Sequence, residues 1–211
     1  MWICFYNPKG VGDVLMVTRG QLQRDQIATE TIAGITRIYN QETDNTMGYN
    51  FHSISDYIKL EGSGQVHLTD EQLDTLNQLL YEKGFETIST NNDPAIVVGY
   101  VKSCVDHEDS DHLHITETQV GDDQSYQIVC GAANVHEGMK VVAALPGAVM
   151  PDGLVIWPSE LRGVQSSGML CSAYELGVDP EHKLQGIIEI KDDVPVGTPF
   201  SELDLSSLTT D

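Results

Sequence analysis

Basic residues are scarce in this chain. Its 211 residues hold 11 Lys and Arg against 32 Asp and Glu, a formal charge of −21 near neutrality. The deficit runs the whole length: residues 1–93 carry 6 basic and 13 acidic side chains, residues 94–200 carry 5 and 16, and the last eleven add three acids. A surface of that sign repels phosphate at long range and argues against a general nucleic-acid binder. Cysteine is thin as well. Its four positions, 4, 104, 130 and 171, form no CxxC pair, which excludes the paired-thiolate zinc patterns. No basic leader precedes a long apolar segment at the N-terminus, so free thiols in a reducing cytoplasm are expected. No run approaches the roughly 18 apolar residues that a membrane helix needs. Nor is there a nucleophile elbow, a phosphate-cradling glycine loop or a paired-carboxylate motif, so a non-catalytic protein without a cofactor is expected.

What is present reads as two small domains. Hydrophobic content of 40% and charged content of 20% are those of an ordinary globular chain. In the first part, strands are expected at Trp2–Tyr6, Val14–Val17 and Met47–Ile54, with a strand or strand pair over Ile27–Tyr39. The clearest helix runs over 70–83: Thr69 and Gln72 form a capping-box pattern, and Leu73, Leu76, Leu79 and Leu80 share one face. A polar stretch ending in Pro94 marks the boundary, giving an α+β domain over 1–92. Beyond it, short strands punctuated by glycine and proline are expected at 96–105, 113–120, 125–130, 141–145, 154–157 and 186–190, with one helical turn at 132–136. No long helix interrupts them. The count and length fit a five-stranded barrel of the OB type over 93–200, followed by an acidic tail over 201–211. The fold class is therefore mainly β.

The motifs of the second part carry a resemblance. The pattern V-G-x-V-x-S at Val98–Ser103, the loop His107–Leu113, and the runs IVCGAAN, VVAALPGAVMPDG and LRGVQSSGMLCS resemble, in order, the tRNA-binding OB domain near the N-terminus of the phenylalanyl-tRNA synthetase β subunit. The match covers about residues 90–200. Its pairing with an N-terminal α+β domain is similar to small bacterial proteins of the YtpR type, which carry this domain without the synthetase catalytic domain.

The resemblance implies a binding surface for tRNA or another structured RNA. Carried onto this sequence, its candidate residues are Arg162, Ser166 and Met169, with Asn134 in the GAAN turn and Lys140 beside them. Arg162 suits bidentate pairing with phosphate. Ser166 suits donation to phosphate or ribose, unless it satisfies its own loop backbone. Met169 suits packing on a base or sugar. The family's loop reads close to H-P-N-A-D-K-L; here His112 stands at the lysine and Glu108 and Asp109 are added, so a protonated His112 would supply the missing cation. No lysines precede the LRG. Two other readings stay open. One is an acidic protein-interaction or regulatory module that kept the barrel and docks basic partners. The other is a small-molecule or metal-responsive protein built on His107, His112 and His114, although their spacing matches no zinc pattern and a solvated loop is the simpler expectation. Cys104, Cys130 and Cys171 lie in apolar runs and read as core residues. The oligomeric state is open, because relatives of this domain act alone, in dimers or inside larger subunits.

Overall fold

The computed structural model describes residues 1–190, 193–204 and the two strand residues 208–209. They form two compact units, Met1–Asn92 and Asp93–Asp211. Unit 1 is a six-stranded antiparallel sheet with one long helix. Its elements are β1 (Ile3–Tyr6), α1 (Pro8–Val11), β2 (Val14–Thr18), β3 (Ile27–Ile32), β4 (Ile35–Asn40), β5 (Thr46–His52), β6 (Gly64–Val66) and α2 (Asp70–Glu82). The strand order is β3-β4-β5-β2-β1-β6. The link between β1 and β2, expected as a plain turn, is a single helical turn: Pro8 starts it and the Asn7 side chain accepts from Gly10 N at 3.1 Å. The α2 cap forms as its sequence dictates. Gln72 N donates to Thr69 Oγ1 at 3.2 Å, and Thr69 N donates back to Gln72 Oε1 at 2.9 Å. Gly84, at φ +75°, ends the helix, and Phe85 N closes onto Leu80 O. Leu76 and Leu80 are fully buried among Trp2, Leu15, Val17, Tyr49 and Phe51, while Leu73 and Leu79 flank them.

Unit 2 is a nearly closed barrel. Its strands are β7 (Ile96–Asp106), β8 (His114–Gln119), β9 (Ser125–Cys130), β10 (Lys140–Ala144), β11 (Ser159–Leu161), β12 (Val164–Ser166), β13 (Met169–Leu170), β14 (Glu189–Ile190) and β15 (Leu208–Thr209). The main sheet runs β15-β14-β10-β7-β8-β9. Closure comes through the segment after β12: Ser167 N donates to Gln127 O of β9, and β13 pairs antiparallel with β10. Near closure of this kind leaves few of the free edges that an open sheet would present. Strand β10 explains its own sequence. Val141 and Ala143 enter one apolar cluster, with Val101, Ile128 and Leu170, while Val142 and Ala144 enter another, with Val98, Cys171 and Ile188. A strand buried on both faces reads as an unbroken apolar run.

Three expected elements differ. Of the strand expected over 186–190 only Glu189–Ile190 forms, with Ile187 in an isolated bridge to Ser172. Residues 154–157 form no strand; Val155 makes one isolated bridge to Val149, and Ile156 is buried beneath it. Residues 132–136 form no helical turn; Val135 N bonds Ala132 O and Met139 N bonds His136 O in two successive tight turns. Gly138, at φ +88°, favours the second turn over a helix. Strands β11 to β13 have two or three residues each, too short for alternation to show in sequence. In the segment expected as an acidic tail, residues 200–202 make a 3-10 turn and Leu208–Thr209 pair with β14; the residues between and after them lie outside the described set. Among the described residues no helix is long and apolar enough to cross a membrane.

Candidate nucleic-acid interface

The β11–β12 hairpin turns in two residues. Leu161 faces Val164, and between them Arg162 and Gly163 lie at φ +46° and +82°. Positive φ at both central positions is what a type I′ turn requires, and it explains why glycine follows the arginine. The turn sets Arg162 at the hairpin tip, where its Nη1 donates to Asp109 O at 2.7 Å. Asp109 belongs to the other loop that the resemblance assigned to RNA, so one arginine ties the two together. Among the described residues no carboxylate pairs with Arg162; the rest of its fork is open to a ligand.

A second tie runs through His107. Only 4% exposed, its ring accepts from Asp109 N through Nδ1 at 3.0 Å and lies 3.3 Å from Leu161 O through Nε2. A neutral ring with the proton on Nε2 satisfies both bonds. The backbone of the same loop closes as His107 N bonds Leu113 O. His107 is thus a strut between loop and hairpin. The sequence signal for it was weak, a histidine among acids, and it read as a metal ligand or a solvated residue. Among the described residues no group of three or more His, Cys, Asp or Glu is placed to hold a metal ion.

The candidates divide by environment. His112 is exposed on the loop, with Nδ1 3.0 Å from Asp111 Oδ1. That hydrogen bond, with a further contribution from the charge of Arg162, holds the Asp111 carboxyl below its ordinary value. Met169 is half-buried on β13, packed against the cluster that holds Val142 and Ala144 and bordering a cavity. Ser166 does not face a ligand. It is 2% exposed, its Oγ accepts from Val129 N at 3.0 Å, and it leans toward Gly168 O at 3.4 Å; its hydroxyl joins the hairpin to β9. Asn134 is also spent internally. Its amide donates to Ile187 O at 2.9 Å and accepts from Ile187 N at 3.0 Å, standing in for a strand partner. Lys140 donates from Nζ to Val194 O at 2.7 Å and is half-buried, which ties it to the barrel wall. Arg162 and His112 therefore stand together at the rim, Met169 lies on the adjoining wall, and Ser166, Asn134 and Lys140 hold the scaffold.

The thiols are all free, with Cys4, Cys130 and Cys171 buried. Burial pushes Cys4 and Cys171 up to about 12 and raises Cys104 and Cys130 as well, so none is poised as a nucleophile.

Residues 96–199 match a family described as "Putative tRNA binding domain", and residues 22–89 match one described as a domain of unknown function. The chain is 41% identical over 197 residues to the "Putative tRNA-binding protein YtpR" of Bacillus subtilis, covering 93% of this chain and 98% of that protein. It is 44% identical over 142 residues to the phenylalanine–tRNA ligase beta subunit of Neisseria meningitidis, covering 65% of this chain and 18% of the subunit. The corresponding subunit of Haemophilus influenzae matches at 49% over 107 residues, 51% of this chain and 13% of the subunit. The chain thus spans less than a fifth of the ligase subunits.

Proposed function

The chain belongs to the family of the YtpR tRNA-binding protein, and from that premise we propose that it binds tRNA through its C-terminal barrel without catalysing a reaction on it. The observation that carries the reading is the join between the two rim loops within the matched span. Arg162 is presented at a two-residue turn, bonded to the neighbouring loop, with most of its fork open. A guanidinium so fixed loses little freedom when it meets a phosphate. His112 stands beside it and gains its charge on protonation. Residues 1–92 form a separate domain, the barrel domain over 93–200 is the RNA-binding body, and the protein works in the cytoplasm.

Charge sets the strength. With Lys140 tied to a backbone carbonyl, Arg162 and, when protonated, His112 are the cations at the rim, and together they neutralise about two phosphates. At slightly under one unit per phosphate, log K against log salt falls with a slope of roughly −2, and affinity is micromolar or weaker. A titration of the full chain with total tRNA at low salt tests this. Saturable binding with a shallow slope is the expected result. Absence of saturation at tens of micromolar protein, an estimate set by that two-phosphate footprint, would overturn it.

A further inference from the structure

A cavity of about 460 Å³ opens on the barrel wall where β9 ends, bounded by Val129 and Cys130, by Met169 of β13, and by Tyr174, Glu175 and His182 from the loop after it. The rings of Tyr174 and His182 stack, with centroids 4.6 Å apart and planes 17° from parallel, and Tyr174 is 50% exposed. Glu175 is fixed in the wall. Its Oε2 accepts from Ser172 N at 2.8 Å and from Ser172 Oγ at 2.7 Å, while Glu175 N donates back to the Ser172 hydroxyl at 3.3 Å. The loop is braced again where Leu184 N donates to Asp179 Oδ2 at 2.7 Å. Platform and carboxylate are therefore held in place before any ligand arrives.

The lining narrows the chemistry. It contains a carboxylate and neither lysine nor arginine, so a phosphate is repelled. What it offers instead is a flat aromatic stack, apolar walls and one fixed acceptor, since Ser172 uses only Oε2 and leaves Oε1 to receive an N–H. The position narrows it further. Gly131 lines the cavity, and a methyl group placed on it would sit 3.5 Å from Leu113, the last residue of the His107 loop. On the other side, Val129 is the residue held by Ser166 of the Arg162 hairpin. The cavity thus borders both loops whose tips carry the cations.

We infer that this cavity receives an unpaired base of the RNA, stacked on the Tyr174–His182 pair with its N–H edge toward Glu175, while the flanking phosphates meet Arg162 and His112. The inference rests on the tRNA reading and deepens it. Base stacking on aromatic side chains is the common route by which proteins hold splayed-out bases, and it adds affinity without adding charge. That solves the difficulty the composition poses: an acidic protein gains RNA affinity from ring contacts where it has few cations to spend.

The test uses the full chain with total tRNA. Tyr174→Ala and His182→Ala should each weaken binding by about fivefold or more, the lower end for one lost base stack. Tyr174→Ala should leave the salt slope unchanged, because no charge is removed. Tyr81→Ala, which removes an aromatic ring 78% exposed on the α2 surface of unit 1, should bind as the unsubstituted chain does. In the unsubstituted chain, millimolar adenosine should shift the ring-proton resonances of Tyr174 and His182, a readout that does not depend on a variant folding. If tRNA binds while both variants keep full affinity, or if adenosine leaves both rings unmoved, the base site is overturned and the tRNA reading stands. If the unsubstituted chain binds no tRNA, the reading falls and the base site with it.

Discussion

Two hairpins, one in each unit, turn through almost the same backbone. Ala33 and Gly34 join β3 to β4 at φ +46° and +83°; Arg162 and Gly163 join β11 to β12 at +46° and +82°. Neither Ala nor Arg is a favoured residue at the first left-handed position of such a turn, where Asn and Gly dominate. The difference lies in what each hairpin does with its arginine. In the first, Arg37 sits on β4, reaches Glu30 at 2.9 Å and Asp44 at 3.1 Å, donates from Nε to Thr46 Oγ1 at 2.9 Å, and lies 4.3 Å over the Tyr39 ring. Every face of that cation is used. In the second, the arginine occupies the strained tip itself and makes one bond, to a backbone carbonyl. A turn geometry does not mark a binding site; a cation held at it with an open fork does.

If both units are equally closed behind their hairpins, their thiols show it with the largest expected effect. With Cys4 in unit 1 and Cys171 in unit 2 both pushed to about 12, the thiolate fraction at pH 8 is on the order of 10³-fold below that of an ordinary cysteine. Iodoacetamide should label both equally slowly and full unfolding should release both. Fast labelling of Cys171 alone would mean that the barrel opens where the sheet does not. The same burial favours the protonated thiols in the fold. Their contribution to stability is complete below about pH 9, the ordinary thiol value, and declines as pH rises toward 12.

Glycine substitutions separate the hairpins next. Gly168 follows β12 at φ +141°, and a Cβ there would lie 2.8 Å from Ala144 O and 3.0 Å from Ile128 Cδ1. Gly168→Ala should cost unit 2 about 2–4 kcal/mol, combining a backbone region reserved to glycine with a clash against backbone. Gly34→Ala meets nothing nearer than 3.9 Å and should cost unit 1 only about 1 kcal/mol. Amide hydrogen exchange assigned by unit reads both. Equal costs would mean that the segment closing the barrel carries no more constraint than an exposed turn.

Much of this was legible in the residues. The capping box of α2, the strands β1 to β5 of unit 1 and the apolar run of β10 are plain because each rests on local pattern or on burial of both faces, whereas β6, three residues opening on Gly64, carries no such pattern. The candidate site was legible only as chemistry. Sequence could show that Ser166, Asn134 and Lys140 are able to donate to RNA. It could not show that Ser166 Oγ is taken by Val129 N, the Asn134 amide by Ile187 and Lys140 Nζ by Val194 O, because those partners are remote in sequence. His107 and the Tyr174–His182 stack were hidden for the same reason: their partners are remote in sequence or belong to a loop without periodicity.

The smallest effect bears most directly on function, because it sets stability against binding at one residue. Asparagine suits the left-handed position better than arginine or alanine, so Arg162→Asn and Ala33→Asn should each stabilise its hairpin by a few tenths of a kcal/mol, about 0.5. For Ala33→Asn that is the whole effect, and tRNA affinity should not change, since no group there is offered to RNA. For Arg162→Asn the improved turn comes with a lost charge. Affinity should fall by about 1–2 kcal/mol and the salt slope should shallow by close to one unit, the share of a single phosphate contact. The paired result, a better turn and a weaker binder, would identify Arg162 as a residue kept in a strained position for what it contacts. A variant at 162 that stabilises the hairpin and leaves both affinity and slope untouched would make the arginine an ornament of the turn, and the two hairpins would be alike after all.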